Sequence, residues 1–253
     1  MKTRKQYNNS LEYNGQAYAD KFVLNCTDFK RDGYFLELGS RDAIQNNNSY
    51  ILEESFGWIG IMVERESGYE LEYATHRPNS LAIIEDATQI DYKKLFKDNN
   101  LPLNLDFLQL DLEVRDNTSL ETFLKINSEL LDDYKFAVIT MEHDIYTELE
   151  TAADMRIKSR EILESRGYYC VFKDIVDSSP PEYISCPYED WWVHPDLVNM
   201  KYIKYLLKKN QDKYLTVNTP TPIEGNASAL HICSHCGVSG TPIKCFKAAE
   251  TEY

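Results

Sequence analysis

The chain lacks the glycine repeat with which dinucleotide-binding folds hold a pyrophosphate. It has 10 glycines in 253 residues, and only Gly39 stands in the loop that follows the first buried-type apolar run. The loop continues with Arg41 and Ala43 rather than with the further glycines of a G-x-G-x-x-G pattern. Because those glycines allow the backbone to approach phosphate closely, their absence disfavours a dinucleotide ligand.

Long apolar runs and an excess of positive charge are missing too. No stretch is apolar enough to span a bilayer, and residues 1–10 lack the apolar core of a signal peptide. We therefore expect a soluble intracellular protein, no membrane span, and six cysteines that are thiols. The formal net charge of -14 argues against a nucleic-acid partner. Basic residues do cluster at 201–213, where the pattern predicts the solvated face of a terminal helix.

What the chain does have is a strand, loop, helix and strand in sequence between residues 34 and 64. Residues 34–38 form a short apolar run, Gly39 ends it, and a helix is predicted to begin near Tyr50. A second apolar run, 58–63, stops at Glu64, whose carboxylate can accept hydrogen bonds from both ribose hydroxyls. This is the plan of a nucleoside-binding half-fold. S-adenosylmethionine suits it, because that molecule has an adenosine but no phosphate.

Strands and helices are predicted to alternate along the rest of the chain. A helical pattern over 150–166 ends at Gly167, as a glycine C-cap would end it. Alternation of this kind predicts a mostly parallel, seven-stranded sheet with helices on both faces, formed by residues 1–215. Residues 216–253 are predicted to be a linker and a tail that contains Cys and His. The further predicted strands are 80–84, 105–110, 136–141, 168–172 and 189–193.

Acidic residues follow most of the predicted parallel strands. In an open parallel sheet the carboxyl ends of the strands form the edge at which ligands bind. A single Asp or Glu there can be no more than a helix cap or a solvated loop residue. The repetition at one edge indicates a ligand site. The residues are Glu64, Glu85, Asp86, Asp111, Glu113, Glu142 and Asp144, with His143 between the last two.

Four sequence segments resemble the FkbM-type methyltransferases. The first segment is residues 34–64 with the preceding glycine, GYFLELGSRDAIQNNNSYILEESFGWIGIMVE. It is similar to that family's E-x-G strand, its S-N-T-Y element and its G-W-x-G strand ending in Glu. LDFLQLDLE and VITMEHD resemble its fourth-strand and fifth-strand motifs, and EDWWVHPDL resembles its D-W-x-x-H-P-D segment. The matches occur in order over about residues 12–200. Taken together the matches are specific for the family, whereas no single match is.

The resemblance implies a class I methyltransferase (Rossmann-like) fold, S-adenosyl-L-methionine as the methyl donor, and O-methylation, often of a sugar hydroxyl. Ala43 departs from the family pattern, which has glycine there, and it would be strained if that position needed a left-handed conformation. Val114 and Arg115 depart as well, on the substrate side. The residues carried over to the donor site are Glu37, Gly39, Ser40 and Asp42 around the methionine moiety, Glu64 at the ribose and Asp86 at the adenine amine, with Asp111 as a further contact.

Two devices could remove the proton from an acceptor hydroxyl. One is a general base, for which His143 is the first candidate and His194 the second. The other is Mg²⁺ or Mn²⁺ held by Asp111 and Glu142, with His143 as a third ligand. Both devices stay open, and His143 can equally be a structural histidine. Trp191 or Trp192 could stack on a sugar ring, although strand alternation puts one of them in the core.

The C-terminal tail contains a partial zinc motif. Cys233 and Cys236 have C-x-x-C spacing, and Cys245 with His231 or His235 could complete four ligands. The second C-x-x-C of a full zinc ribbon is missing. A tail with free thiols is the alternative prediction.

The sequence thus predicts an S-adenosylmethionine-dependent O-methyltransferase that acts on a sugar or glycan. Two hypotheses from other classes remain. One is a catalytically inactive methyltransferase fold that serves as a binding module. The other is an RNA methyltransferase, which should display a basic acceptor groove that the acidic balance of this chain disfavours.

Overall fold

A computed structural model of the chain describes residues 3–176 and 186–215, with side chains described as far as residue 208. Seven strands form one sheet in this part of the chain. They are β1 (Tyr34–Leu38), β2 (Ile59–Glu64), β3 (Leu81–Ile84), β4 (Asn104–Leu110), β5 (Lys135–Glu142), β6 (Tyr169–Val176) and β7 (Pro187–Val193). Every strand predicted from the sequence is therefore present, with bounds shifted by a few residues.

Eight helices connect or flank these strands in the described residues. They are α1 (Arg4–Asn8), α2 (Ala19–Cys26), α3 (Tyr50–Phe56), α4 (Glu70–His76), α5 (Tyr92–Asp98), α6 (Thr118–Glu129), α7 (Glu150–Ser165) and α8 (Met200–Leu215). Gly167 has φ +82° just after α7, which matches the predicted glycine stop. No helix in the described ranges is both long and apolar enough to cross a bilayer.

The strand order is β3-β2-β1-β4-β5-β7-β6. Strands β1 to β5 pair in parallel, whereas β7 pairs antiparallel with both β5 and β6. The sheet is mostly parallel, as predicted, and this order with an antiparallel β7 is that of the class I methyltransferase fold. Because the order reverses between β1 and β4, the ligand crevice of such a sheet lies at their carboxyl ends.

Alternate residues of each strand pack into two separate cores. On one face, here called the α2/α8 face, Phe35, Phe107 and Trp191 pack with residues of α2, α3 and α8. On the other, the α6/α7 face, Leu108 and Trp192 pack with residues of α5, α6 and α7. Both tryptophans are fully buried because helices cover both faces. The expectation that one of them is free to stack on a sugar is therefore wrong.

Helix α8 covers the α2/α8 face as its pattern predicted. Ile203 and Leu206 are buried there, and Tyr202 and Leu207 are partly buried against the same core. The predicted zinc tail with Cys233, Cys236, Cys245, His231 and His235 lies outside the described residues, as does the predicted linker. Among the described residues, Cys26, Cys170 and Cys186 form no disulfide.

Candidate active site

The turn after β1 lies at the point where the strand order reverses. Gly39 has φ +83°, and a Cβ atom on it would lie 1.8 Å from the carbonyl oxygen of Asp111. The Gly39 N–H donates to Val63 O at 2.9 Å, and the Asp111 N–H donates to Leu38 O at 3.0 Å. Both the left-handed φ and the lack of space require glycine. The chain can therefore leave β1 sharply and open a loop at the carboxyl edge.

The loop from Ser40 to Asn48 is shaped by its own polar side chains. Asp42 Oδ1 accepts the backbone N–H of Ile44 at 2.8 Å and that of Gln45 at 2.6 Å. The left-handed residues of this loop are Arg41 and Asn46, at φ 45° and 55°. Ala43 is not among them, and its side chain is fully buried. The concern that alanine strains this position therefore does not apply.

Glu37 lies beneath this loop and has no exposed surface. Its Oε2 accepts from the Ser49 hydroxyl at 2.7 Å and from Asn47 Nδ2 at 3.1 Å, while its Oε1 has no partner. Ser49 precedes α3 as its N-cap residue, but its hydroxyl makes no cap hydrogen bond. Burial raises the pKa of Glu37, and the nearby Arg77 opposes that shift. Glu37 thus supports the loop from below.

Arg77, which sequence reasoning missed, joins the same buried network. Its guanidinium donates to Glu53 Oε2 at 3.0 Å, to Asn47 Oδ1 at 2.9 Å and to the Ser49 hydroxyl at 2.7 Å. The side chains of Arg77 and Glu53 are 0% and 3% exposed. No local pattern marks Arg77, because its partners lie 24 to 30 residues away in the sequence. The three consecutive asparagines before Ser49 were the available signal of a polar, side-chain-bonded loop.

Glu64 and Asp86 stand at the carboxyl ends of the next two strands. Glu64 Oε2 accepts the Arg41 N–H at 2.9 Å, and its Oε1 accepts the Glu66 N–H at 2.9 Å. Each of these oxygens keeps a second lone pair for a ligand hydroxyl. Asp86 Oδ1 accepts from the backbone and the hydroxyl of Thr88, both at 2.8 Å. The predicted donor-site residues therefore surround one edge, although several of them also hold the loops that form it.

Four carboxyl groups, here called the acidic row, continue this edge across β4, β5 and β7. They are Asp111, Glu142, Asp144 and Glu189. Glu142 of β5 is the register partner of Glu189 of β7, and Asp111 directly follows β4 beside them. The carboxyl group of Glu142 lies close enough to those of Asp111 and Asp144 for both to raise its pKa, in addition to the larger effect of burial. Strand alternation puts the row on the α2/α8 face, next to Gly39.

Crowding of the acidic row changes its protonation. Burial and the neighbouring Asp111 raise the pKa of Glu142 well above its ordinary value. Burial raises the pKa of Asp144 to about 6. Burial, with a contribution from Asp111, raises the pKa of Glu189 to about 8. Carboxyl groups in this range can accept or release a proton near neutral pH.

His143 faces the other side of the sheet. Its Nδ1 accepts the Ile145 N–H at 3.2 Å, and its Nε2 lies 3.4 Å from Asp190 Oδ1 and 3.6 Å from Asp174 Oδ1. Because successive strand side chains alternate, His143 points to the α6/α7 face while Glu142 points to the α2/α8 face. The prediction of one metal site formed by Asp111, Glu142 and His143 is therefore corrected, because the structure does not bring His143 together with the other two residues. A cation held by Asp111 and Glu142 alone stays a prediction.

The His143 cluster is a buried ion network. Arg160 donates to both carboxylate oxygens of Asp190, at 2.6 and 2.8 Å, and Arg156 donates to both oxygens of Asp174, at 2.8 and 2.6 Å. Although burial opposes it, Arg160 and His143 lower the pKa of Asp190. The geometry of His143, Asp174 and Asp190 is of a metal-binding kind. Two guanidinium groups already balance the two carboxylates, so the network favours a structural role for His143.

His194 lies at the opposite edge of the sheet. It follows the antiparallel β7, and its N–H donates to Ala137 O near the start of β5. With about 3.3 Å per strand residue, the distance from there to Glu142 is roughly 17 Å. The structure therefore does not bring His194 to the acidic row, and this corrects its prediction as a base for the same reaction. A cavity of about 430 Å³, lined by Asp106 and Asp196 among others, lies at this same edge and is separate from the acidic row.

Comparison with known proteins finds matches among solved structures alone. No family model and no curated protein match the sequence. Similar solved structures include the Entamoeba histolytica methyltransferase EhMeth, with 14% identity over 67% of this chain and 54% of that one and a TM-score of 0.44. They also include a TehB-like SAM-dependent methyltransferase from Corynebacterium glutamicum, with 10% identity, coverages of 76% and 93% and a TM-score of 0.42. A third is a SAM-dependent methyltransferase from Geobacter sulfurreducens in complex with S-adenosyl-L-homocysteine, with 8% identity, coverages of 87% and 83% and a TM-score of 0.42.

This chain spans about half of the Entamoeba protein. At such low identities and TM-scores, the fold assignment rests on the strand order itself. The strand order and the edge geometry define a protein with the class I methyltransferase fold, and its substrate is a separate question.

Proposed function

We propose that the protein is an S-adenosylmethionine-dependent methyltransferase that methylates a hydroxyl group of a sugar or glycan. The observation that carries this proposal is the juxtaposition of Gly39 and the acidic row at the point where the strand order reverses. Gly39 and its loop suit a nucleoside-type donor, and the row suits a hydroxyl acceptor that must lose a proton. The resemblance to FkbM-type methyltransferases supports the sugar as acceptor.

The residues present fit the donor. Gly39 keeps the turn free of side-chain atoms, and Glu64 has lone pairs available for the two ribose hydroxyls. Asp86 has one carboxylate oxygen that accepts from Thr88 and another available to the adenine amine. When bound, the donor supplies a methyl group on a sulfonium, so that a carbon–oxygen bond forms as the carbon–sulfur bond breaks and leaves its electron pair on sulfur.

The chain supplies orientation and a proton acceptor. We assign the base to Glu142, because its carboxyl group lies between those of Asp111, Asp144 and Glu189 and its raised pKa matches the task. In its ionised form Glu142 takes the hydroxyl proton as the acceptor oxygen attacks. Asp111 fixes the position of Glu142 and can share the proton. The row also disfavours RNA as acceptor, because phosphate and carboxylate repel each other.

Donor binding is tested by calorimetry with S-adenosyl-L-homocysteine. Wild-type protein should bind it, and Glu64→Ala should bind it more weakly by about tenfold or more, since hydrogen bonds to a charged group contribute about 1.5–3 kcal/mol. Glu70→Ala is the control, because Glu70 is an exposed residue of α4. Absence of binding to wild type would end the proposal. Binding without methyl transfer to any sugar would favour the inactive binding module.

A further inference from the structure

The acidic row has more negative than positive charge around it. Four carboxyl groups meet there, and the exposed Glu113 adds a further negative charge near Asp144. Arg41 interacts electrostatically with Asp111, and Arg115 with Asp144. The Arg115 side chain is 71% exposed, so solvent screens much of its charge. Arg115 pairs with Glu113 instead, at 3.9 Å, so among the described residues Asp111, Glu142, Asp144 and Glu189 have no ion pair with Lys or Arg.

A second observation lies in the strands directly beneath the row. Gln109 stands two residues before Asp111 on β4, and Thr140 stands two residues before Glu142 on β5, so both point to the α2/α8 face as the row does. They are register partners of each other and are 3% and 0% exposed. Gln109 Oε1 and Thr140 Oγ1 have no hydrogen-bond partner. A buried acceptor without a donor is destabilising, so two adjacent ones point to a ligand that donates.

The position of the Glu189 carboxyl group suits such a ligand. It is 4% exposed, and Trp191 Nε1 donates to its Oε1 at 2.6 Å. Burial raises the pKa of Glu189, and the neighbouring side chains of Trp191 and Tyr188 oppose that shift. These contacts fix the carboxyl group while leaving lone pairs on Glu189 for a donor. Glu142 and Asp144 are half-buried and form the exposed side of the row.

We propose that the acceptor is an amino sugar or a related amino polyol, whose ammonium group binds Glu189 and the neighbouring carboxyl groups of the row. This inference rests on the proposed function and names its substrate class. An ammonium group brings both a positive charge and three N–H donors. These donors would pair with the carboxyl groups of the row, beneath which lie the unpaired oxygens of Gln109 and Thr140. The hydroxyl to be methylated then lies beside the base Glu142.

A neutral sugar satisfies this site less well, and an anionic one is repelled. Unit charges a few ångströms apart interact much more strongly at the effective dielectric of a protein surface than in bulk water. A neutral sugar can donate hydroxyl hydrogens, but only a cation also favours the ionised form of these buried carboxyl groups. The charge of the row therefore selects an acceptor that carries an ammonium group close to its reacting hydroxyl.

The test compares three acceptors with the same ring: glucosamine, N-acetylglucosamine and glucose. Methyl transfer from isotope-labelled donor is measured for each, and kcat/KM should be higher for glucosamine by about tenfold or more, in line with the net value of a close charge pair. Glu189→Gln keeps the size of the side chain and should lower kcat/KM for glucosamine by about tenfold. It should leave binding of S-adenosyl-L-homocysteine unchanged. Glu161→Gln, on the exposed side of α7, is the charge-matched control and should behave as wild type.

Thr140→Val is a second variant, which removes the unpaired hydroxyl without changing charge or shape. It should weaken glucosamine use by a smaller factor than Glu189→Gln. Equal or better use of glucose or N-acetylglucosamine, or no transfer to glucosamine by a protein that binds the donor product, overturns the amino-sugar inference and leaves the donor site standing. Loss of donor-product binding in wild type instead overturns the methyltransferase proposal itself.

Discussion

Gly39 shows how much a single residue decides at this site. Its missing Cβ lets β1 and the end of β4 approach each other, and its φ of +83° turns the chain into the loop. Comparison of three glycines distinguishes the effect of the missing Cβ from the effect of the positive φ. Gly39 combines positive φ with a 1.8 Å clash, Gly167 has positive φ and open space, and Gly68 has open space without positive φ.

We predict graded costs for alanine at these three positions. Gly167→Ala should cost about 1–2 kcal/mol of stability, the cost of a left-handed non-glycine residue. Gly39→Ala should cost more than that and should also abolish binding of S-adenosyl-L-homocysteine, because the loop must move away from Asp111. Gly68→Ala should be neutral or slightly stabilising. Urea unfolding measures the first effect and calorimetry the second. A Gly39→Ala protein that binds like wild type would contradict this role.

At the scale of elements, one buried network fixes the loop after β1 to α3 and α4. Arg77 at the end of α4 reaches Glu53 in α3, and it also reaches Asn47 and Ser49 of the loop. Glu53 in turn accepts the Asn79 N–H at 3.0 Å and the Ser80 hydroxyl at 2.6 Å. Two helices thus hold the loop after β1 in a preformed conformation, which would reduce the entropy lost if the loop binds a ligand.

Arg77→Met should destabilise the protein by about 3–5 kcal/mol, because it leaves the buried carboxylate of Glu53 without its charged partner. Urea unfolding measures the change in free energy. The double variant with Glu53→Gln should recover part of the loss, since no unpaired charge then stays buried. Lys94→Met is the control: Lys94 forms an exposed ion pair with Asp98, and its removal should leave stability nearly unchanged. An Arg77→Met protein as stable as this control would show that the network is not structural.

At the scale of the whole molecule, several carboxyl groups have raised pKa values in the folded state. Burial raises the pKa of Glu189 to about 8, and burial also raises those of Asp144 and Asp20 to about 6. Between the unfolded and folded pKa values the folded state holds the extra proton. Stability therefore falls as pH rises, by up to about 1.4 kcal/mol per pH unit for one group. The net charge of -14 acts in the same direction through self-repulsion.

Unfolding free energy should therefore decrease as pH rises from 4.5, the ordinary value for glutamate, towards about 8 for Glu189. Glu189→Gln should flatten this decrease and be more stable than wild type at pH 8, because a neutral amide has no proton to lose. Urea unfolding at several pH values measures the slope. Glu161→Gln makes the same change in net charge on the surface and should keep the wild-type slope. A wild-type slope in Glu189→Gln would show that Glu189 ionises normally.

The sequence by itself determined the strands, the helix that Gly167 ends, the glycine turn after β1 and the acids at the carboxyl edge. Each of these depends on local periodicity or on the conformation of one residue, which the chain carries wherever it folds. The zinc tail, for which Cys233, Cys236 and Cys245 are the ligands predicted with His231, is a prediction that stands on sequence alone.

Only the tertiary structure decided which candidates share a site. Glu142 and His143 are neighbours in sequence, yet the pleat puts them on opposite faces. Because β7 runs antiparallel to β5, His194 lies at the opposite end of the strands from the acidic row. No local sequence pattern indicates that direction. The bond between Arg77 and Glu53 joins residues far apart in sequence, and its strength depends on the burial that the assembled fold provides.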